Sequence, residues 1–229
     1  MKTAIVIPAM RKSVVAVIDD LNKQTVKPDF LWIVNNGKNK FEYLNSSFPI
    51  RVDNPKENIG TNRAWNLVFD DTLKDFDYIG ICGDDYILHE RCLEVLIEAL
   101  NINWAPHKIG MSTAIIYNRH DRYYTSYDFF KNQKDIVISP VAGKGNMGFC
   151  LMKKCFLDCL PEIPEEFKIF FGDTWFGYWV EKLGFKILRV SCSVAHNRSD
   201  DLKMLLDYLI VLKNERKIWF GWLNGDIEL

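Results

Sequence analysis

The run Tyr78-Ile79-Gly80-Ile81-Cys82-Gly83-Asp84-Asp85 decides the fold class of this sequence. Its first five residues are apolar, which is typical of a strand buried on both faces of a parallel sheet. The Gly83-Asp84-Asp85 turn then ends that strand abruptly. Two earlier runs, Thr3–Pro8 and Phe30–Val34, have the same character, and the second ends at Asn35-Asn36-Gly37, another turn signal.

Apolar residues at helical spacing separate these strands. One set predicts an amphipathic helix over about residues 11–24, and a second set predicts a helix soon after the Asp pair. They are Val14, Val17, Ile18 and Leu21, and then Leu93, Leu96, Ile97 and Leu100. Strands that alternate with helices predict an α/β fold, a single Rossmann-like domain whose mostly parallel central sheet is flanked by helices.

The second half of the chain continues this pattern less regularly. Strands are predicted at 109–117, 148–152 and 185–190. An aromatic helix is predicted at about 175–183, and a leucine-rich helix follows residue 200.

The composition is that of an ordinary globular protein. The 229 residues are 48% hydrophobic and 26% charged, the formal net charge is −1 and the sequence pI is about 6.4. Because there is no basic field, nucleic acid and anionic membrane surfaces are disfavoured as partners. No apolar stretch approaches the roughly 20 residues of a transmembrane segment, and the six cysteines include no CxxC pair. We therefore expect a cytoplasmic protein with reduced cysteines.

Polar residues follow two of the predicted strands directly. Asn35 and Asn36 follow one strand, and Asp84 and Asp85 follow another. Open α/β sheets bind ligands beyond the carboxyl ends of their strands, so a site is expected here. Adjacent carboxylates repel each other unless a positive charge lies beside them, and Mg²⁺ or Mn²⁺ prefers such ligands together with phosphate oxygens. The residues alone leave a second interpretation open, a solvated Asp-Asp turn or a helix cap.

Two downstream residues are candidates for the same chemistry. Asp173 precedes the aromatic helix, where it can serve as the N-cap or, among side chains that exclude water, as a general base. His196 ends a strand-like run, where a histidine is either a structural residue or a further ligand for Mn²⁺ beside carboxylates.

A glycine at a loop-to-helix junction marks a third candidate. Gly60 comes just before a predicted helix whose N–H groups can meet an anion, with Arg63 nearby, and the alternative is an ordinary helix cap. The chain has neither a P-loop nor a G-x-G-x-x-G motif after its first strand, and it has no G-x-S-x-G elbow. ATP-loop, dinucleotide and hydrolase interpretations therefore lose their main support.

Together these motifs resemble glycosyltransferase family 2, the inverting enzymes of GT-A fold. The resemblance covers about residues 3–197 and lies in the order and spacing of the motifs rather than in any one of them. In chain order, the matching stretches are Ile5-Val6-Ile7-Pro8, Leu21-Asn22-Lys23-Gln24-Thr25, Leu31-Trp32-Ile33-Val34-Asn35-Asn36-Gly37, Asn58-x-Gly60-x-x-x-Ala64-x-Asn66, Ile81-Cys82-Gly83-Asp84-Asp85, Gly148–Met152, Phe171–Trp175, Lys182–Ile187 and His196.

The resemblance implies a role for each matching position. The chain would be a metal-dependent glycosyltransferase that moves a sugar from a nucleoside-diphosphate sugar to a hydroxyl of a glycan or other acceptor, with inversion. Mn²⁺ or Mg²⁺ would be held by Asp85, Asp84 and His196, and the catalytic base would be Asp173. The donor would contact Asp84 and six further residues, Pro8, Asn35, Asn36, Asn58, Gly60 and Arg63. The acceptor would lie beside Gly148 and Trp175.

The resemblance also implies a division within a single domain, residues 1–229. The nucleotide-sugar half would span about residues 1–100, the acceptor half about 101–197, and a C-terminal helix about 200–218. The leucines of that helix can pack on the core or on a second subunit.

Three positions depart from the family's pattern. Asn35 replaces the first acidic residue of the nucleotide turn, Cys82 replaces the leading acid of the metal motif, and Gly172 replaces the acid before the base. Two alternatives therefore stay open. One is a sugar-nucleotide pyrophosphorylase, although residues 8–13 lack its glycine-rich loop; the other is a catalytically inactive GT-A module that binds a nucleotide.

Overall fold

The computed structural model describes residues 1–37, 41, 44–118, 138–141, 148–196 and 202–228, with the backbone alone for 116–118, 138–141, 192–196 and 202–208. Its strands are β1 Thr3–Ala9, β2 Phe30–Asn35, β3 Ile50–Asp53, β4 Tyr78–Cys82, β5 Tyr86–Leu88, β6 Lys108–Asn118, β7 Ile138–Val141, β8 Phe149–Lys153 and β9 Phe185–His196. Its helices are α1 Val14–Asn22, α2 Thr61–Trp65, α3 Cys92–Asn101, α4 Lys154–Leu157, α5 Gly172–Lys182 and α6 Leu202–Leu223, with 3-10 turns at Asn66–Phe69 and Asp71–Leu73.

The strands of the described residues form one sheet in the order β3-β2-β1-β4-β8-β6-β9-β5, with β7 paired to β9. The four strands β1 to β4 run parallel to one another, and β6 runs parallel to β9. In contrast, β5, β7 and β8 run antiparallel to their neighbours. The mostly parallel central sheet that the sequence predicts is therefore confirmed.

Strand β1 is buried along its whole length because helices cover both faces of the sheet. Ile5 and Ile7 belong to a cluster that includes the apolar sides of α1 and α3. Ala4 and Val6 belong to a second cluster, which includes residues of α2, α5 and α6. A strand enclosed on both sides needs apolar residues at every position, which explains the continuous run read from the sequence.

The C-terminal helix α6 packs on the second cluster through Trp219, which is buried. Its exposed apolar residues include Leu209 and Ile210, and contact with a second subunit stays a prediction. Among the described residues, no helix is long and apolar enough to cross a membrane.

Strand β5 is an element that the sequence pattern does not reveal, because three residues are too few to show a period. It pairs antiparallel with the end of β9, and this register sets Tyr86 opposite His196. The backbone of His196 therefore lies beside the turn that carries Asp84 and Asp85, although these segments are far apart in the sequence.

Candidate active site

Asp84 ties the carboxyl ends of two neighbouring parallel strands together. Its Oδ2 atom accepts hydrogen bonds from the backbone N–H groups of Met10, at 2.7 Å, and Arg11, at 2.8 Å. These residues follow β1, which runs parallel to β4 at its side. Only 7% of Asp84 is exposed. The turn after β4 and the residues after β1 therefore meet at the sheet edge where the sequence predicts a site.

Arg11 supplies the positive charge that two adjacent carboxylates need. Its Nη1 atom lies 2.7 Å from Oδ2 of Asp85 and 4.0 Å from Oδ1 of Asp84. Arg11 was not among the predicted site residues. It could have been predicted from its position just after β1, because the residues that follow two neighbouring parallel strands lie close together at the same sheet edge.

Burial sets the electrostatics of the pair. The pKa of Asp84 is raised chiefly because burial disfavours the carboxylate, and the negative charge of Asp85 raises it further. The two backbone donors and Arg11 act in the opposite direction. A cation that approaches both carboxylates therefore relieves an unfavourable burial of charge.

The donor atoms of the pair fit a hard divalent cation. Carboxylate oxygens are the ligands that Mg²⁺ and Mn²⁺ take together with phosphate oxygens and water. Within the described residues, no group of three or more His, Cys, Asp or Glu side chains is arranged to hold a metal ion. The two carboxylates would thus leave several coordination positions to a ligand. The side chain of His196, the predicted third ligand, lies outside the described residues.

The neighbouring strand ends form a pocket of about 260 Å³ that is rich in side-chain amides. Its lining residues are Asn35, Asn36, Gly37, Asn54, Pro55, Lys56, Glu57 and Asn58. Asn35 donates to Oδ1 of Asn54 at 2.8 Å. Asn36 binds the backbone of the loop before α2: its side chain accepts from the N–H of Ile59 and donates to the carbonyl of Gly60, both at 3.1 Å.

Met10 connects this pocket to the Asp pair. Its backbone N–H binds Asp84, and its sulfur lies 3.4 Å from Nδ2 of Asn58, a residue of the pocket. Three of the predicted donor-binding residues, Asn35, Asn36 and Asn58, therefore line one cavity next to the carboxylates. Pro8 is buried within β1, where it lies opposite Val34 of β2.

The structure gives Gly60 and Arg63 roles other than the predicted anion contact. Gly60 has φ +87°, and a Cβ atom there would lie 2.5 Å from the carbonyl oxygen of Lys168. It is thus the point where α2 meets the segment that precedes α5. Arg63 is exposed and lies 3.4 Å from the carboxylate of Glu165. A contact of either residue with the donor stays a prediction.

Asp173 lies in the first turn of α5 and is not its N-cap. That position belongs to Phe171, which has φ +62°. The Oδ1 atom of Asp173 accepts from the N–H of Thr174 at 2.8 Å. The side chain is half-buried, and the N-terminus of a helix is a favourable place for a negative charge. The alternative that Asp173 is the N-cap of α5 is therefore wrong, because Asp173 lies within the first turn.

The two residues predicted to contact the acceptor have different surroundings. The carbonyl of Gly148 accepts from the N–H of Gly83 at 2.9 Å, which sets Gly148 beside the Asp turn. Trp175 is only 4% exposed, and its indole N–H donates to the carbonyl of Pro161 at 3.2 Å. Its ring packs against Trp222 and Phe167. The structure thus gives Trp175 a packing role, because this face of α5 is turned to the core.

Two of the departures from the family pattern have a local physical reason. Cys82 is fully buried, which raises the pKa of its thiol well above the ordinary value. Sulfur is a soft ligand, whereas Mg²⁺ and Mn²⁺ prefer oxygen, so we do not expect Cys82 to supply a metal ligand in place of the family's acid. At Gly172, a Cβ atom would lie 2.3 Å from Oδ1 of Asn62. Asn62 occupies the space that an acidic side chain at position 172 would need.

Asn62 and Asn66 have a function that sequence analysis missed. Asn62 is fully buried, and its Nδ2 donates to the carbonyls of Phe167, at 3.0 Å, and Phe170, at 2.7 Å. Asn66 both accepts from and donates to the backbone of Ile163, at 2.9 and 2.8 Å. The segment 58–66 therefore anchors the chain that leads to Asp173.

Comparisons with known proteins agree with this fold. The family model described as Glycosyl transferase family 2 matches residues 4–156. The structure is similar to the crystal structure of S. aureus TarS, with a TM-score of 0.62 and 15% identity over 100% of this chain and 41% of TarS. This chain thus spans about two fifths of the length of TarS. No curated protein sequence matches the chain.

Two mycobacterial structures are also similar. One is described as a mycobacterial protein, with a TM-score of 0.57 and 14% identity over 89% of this chain and 70% of that one. The other is glucosyl-3-phosphoglycerate synthase from Mycobacterium tuberculosis, in complex with Mn²⁺, UDP and glucosyl-3-phosphoglycerate. Its TM-score is 0.55, with 14% identity over 89% of this chain and 74% of that one.

The mostly parallel sheet flanked by helices is the GT-A fold that these structures share. Because the family model matches most of the chain, the protein belongs to glycosyl transferase family 2.

Proposed function

We propose that this protein transfers a sugar from a nucleoside diphosphate to an acceptor hydroxyl with inversion of the anomeric configuration, and that Mn²⁺ or Mg²⁺ assists. The observation that carries the proposal is the buried Asp84–Asp85 turn, joined through Met10 to an amide-lined pocket. A nucleoside diphosphate has the matching sequence of parts, a base and ribose followed by two phosphates.

The pocket would hold the nucleoside. Side-chain amides both donate and accept hydrogen bonds, so Asn35 and Asn58 can pair with the edge of a base or with ribose hydroxyls. The pocket has a volume of about 260 Å³, which suits a small ring system.

Asp84 and Asp85 would hold the cation against the diphosphate. When bound, the metal supplies positive charge that stabilises the leaving diphosphate. Arg11 now neutralises Asp85 at 2.7 Å. Its guanidinium group would exchange this carboxylate for a phosphate oxygen, which suits its planar donor geometry.

Asp173 would act on the acceptor. Its carboxylate takes the proton of the acceptor hydroxyl while that oxygen forms a bond to the anomeric carbon. The bond from this carbon to the diphosphate oxygen breaks on the opposite face, so the configuration inverts and the nucleoside diphosphate leaves with the electron pair. The half-buried start of α5 supports this role, because it restricts water around the carboxylate while leaving part of it accessible.

A thermal-shift experiment tests the donor site. UDP and GDP are each added with and without Mn²⁺, and the expected result is a rise in melting temperature that needs both the nucleotide and the metal. If no nucleotide stabilises the protein under either condition, the proposed donor site is refuted.

A transfer assay tests the chemistry. A panel of nucleotide sugars is screened for slow hydrolysis and then for transfer, and Asp173→Asn should lower the rate about 100-fold or more. Asp226→Asn, an exposed residue near the C-terminus, is the matched control. Transfer by Asp173→Asn at the wild-type rate would refute the base assignment. Formation of nucleotide sugar from a sugar phosphate and a nucleoside triphosphate would favour the pyrophosphorylase alternative instead.

A further inference from the structure

The segment 167–170, which leads into α5 and Asp173, has its backbone polar groups bound from two sides. On one side, Asn62 binds the carbonyls of Phe167, Lys168 and Phe170 through its side chain and its own N–H. On the other side stands Glu215, a residue of α6. We call this segment the 167–170 loop.

Glu215 binds three successive backbone N–H groups of this loop. Its Oε1 atom accepts from Lys168 at 2.9 Å and Ile169 at 3.1 Å, and its Oε2 atom accepts from Phe170 at 2.7 Å. Only 3% of Glu215 is exposed. A buried carboxylate is costly unless its oxygens are satisfied, and here backbone donors satisfy both of them.

Trp219 adds an apolar contact one helical turn further along the same face of α6. Its ring lies 6.1 Å from that of Phe167 and 5.8 Å, stacked, from that of Phe171. The helix therefore holds the amides of the loop through Glu215 and the aromatic residues that flank the loop through Trp219.

The end of this loop determines where α5 begins. Phe171 has a left-handed backbone conformation, φ +62°, and its carbonyl accepts from the N–H of Trp175 at 2.7 Å. Non-glycine residues adopt this conformation at a cost, and they do so where surrounding contacts enforce it. Asp173 follows two residues later, so its position depends on the loop.

We propose that Glu215 is a positioning residue for the catalytic base: its carboxylate fixes the 167–170 loop and thereby the location of Asp173 beside the acceptor. The effect on catalysis rests on the proposed function, whereas the fixing of the 167–170 loop by Glu215 does not. Glu215 lies outside the span that the family model matches, and it touches neither the pocket nor the Asp pair among its described partners.

Hydrogen exchange of backbone amides tests the structural part without any substrate. Glu215→Ala should accelerate exchange of the Lys168, Ile169 and Phe170 amides about 10- to 100-fold, the loss expected for bonds to a charged acceptor. Glu215→Gln keeps the side-chain volume but replaces one acceptor oxygen with an NH₂ group. Exchange should therefore accelerate mainly at the amides that were bound to the replaced oxygen. The matched control is Glu166→Ala, an exposed carboxylate just before the loop, which should change none of the three.

Two further readouts separate positioning from simple stabilisation. The side-chain carboxyl carbon resonance of Asp173 should shift in Glu215→Gln and not in Glu166→Gln. In transfer assays, Glu215→Gln should lower kcat about tenfold or more while the KM for the donor is unchanged, because the nucleoside pocket is intact.

Each outcome decides the inference. Unchanged exchange in the loop, an unchanged Asp173 resonance, or a kcat equal to that of the wild type would overturn it. If Glu215→Ala does not fold, the Gln variant carries the same three tests. If the wild type transfers no sugar, the proposed function fails, whereas exchange and the Asp173 resonance still decide whether Glu215 positions that residue.

Discussion

Replacing Gly60 with alanine should destabilise the protein far more than an ordinary glycine substitution does. Gly60 joins the pocket loop to α2, and it has φ +87° and ψ 164°. This combination is almost restricted to glycine, and a side chain there costs about 1–3 kcal/mol. The Cβ atom would also lie 2.5 Å from the carbonyl oxygen of Lys168, too close for either atom to remain in place.

The second contribution follows from what the Lys168 carbonyl binds. It accepts the N–H of Asn62 at 3.1 Å, so a shift that relieves the clash weakens this hydrogen bond, worth about 1 kcal/mol. The two effects together predict a loss of about 2–4 kcal/mol in the free energy of unfolding. Because the same carbonyl belongs to the 167–170 loop, the distortion should reach Asp173 as well.

Gly184 is the matched control. It also has a positive φ, +73°, but a Cβ atom there would have no neighbour within 4 Å. Gly184→Ala therefore carries only the backbone cost of the left-handed region, about 1–2 kcal/mol. Urea unfolding of both variants and the wild type measures the difference. If Gly60→Ala is no less stable than Gly184→Ala, the close approach of the loop to α2 does not constrain this position, and the reasoning is refuted.

Three further predictions concern single side chains. Arg11→Ala should strengthen Mn²⁺ binding about fivefold in the absence of nucleotide, since a partly buried ion pair worth about 1 kcal/mol no longer competes for Asp85. Weaker binding in a calorimetric titration would contradict this. Trp175→Ala should lower the free energy of unfolding by about 3–5 kcal/mol, whereas Trp175→Phe should leave sugar transfer per folded molecule unchanged. Loss of transfer by a folded Phe variant would instead support the predicted contact of Trp175 with the acceptor. Burial raises the pKa of Glu215 above its usual value of 4.5, against the opposing effect of its backbone donors, so the folded chain binds the proton more tightly than the unfolded chain does. The stability of the wild type relative to Glu215→Gln should therefore be greatest below about pH 4.5 and decline as the pH rises through the folded-state pKa of Glu215. A difference between the two urea midpoints that stays constant as the pH rises from 4.5 would refute the raised pKa of Glu215.

Much of the fold was predictable because strand burial and helix periodicity are local properties of the chain. Strands β1, β2 and β4 were evident as continuous apolar runs, and turn residues marked their ends at Asn35 and Gly83. Strand β5 was not evident, because its three residues are defined by pairing with β9 and not by their own pattern. Strand β9, Phe185–His196, unites the predicted strand 185–190 with the strand-like run that ends at His196.

The candidate site was predictable only in part for a related reason. Asp84, Asp85, Asn35 and Asn36 come directly after strands, and parallel strands bring their carboxyl ends to one edge, so their proximity follows from the fold class. Arg63 was assigned from its place near a predicted helix start, and Trp175 from its position in a motif. Their actual partners, Glu165 and Pro161, follow from the direction in which each helix face points.

By itself, therefore, the sequence determined most of the longer strands and helices, the edge at which polar groups gather, and the family. Only the tertiary structure decided that Arg11 balances the Asp pair, that Asn62 fills the space beside Gly172, and that Glu215 holds the loop before Asp173. The reason is physical. Periodicity and turn chemistry act between neighbouring residues and leave a local pattern, whereas a buried charge or amide is satisfied by a partner far away in the sequence, and nothing in the local pattern names that partner.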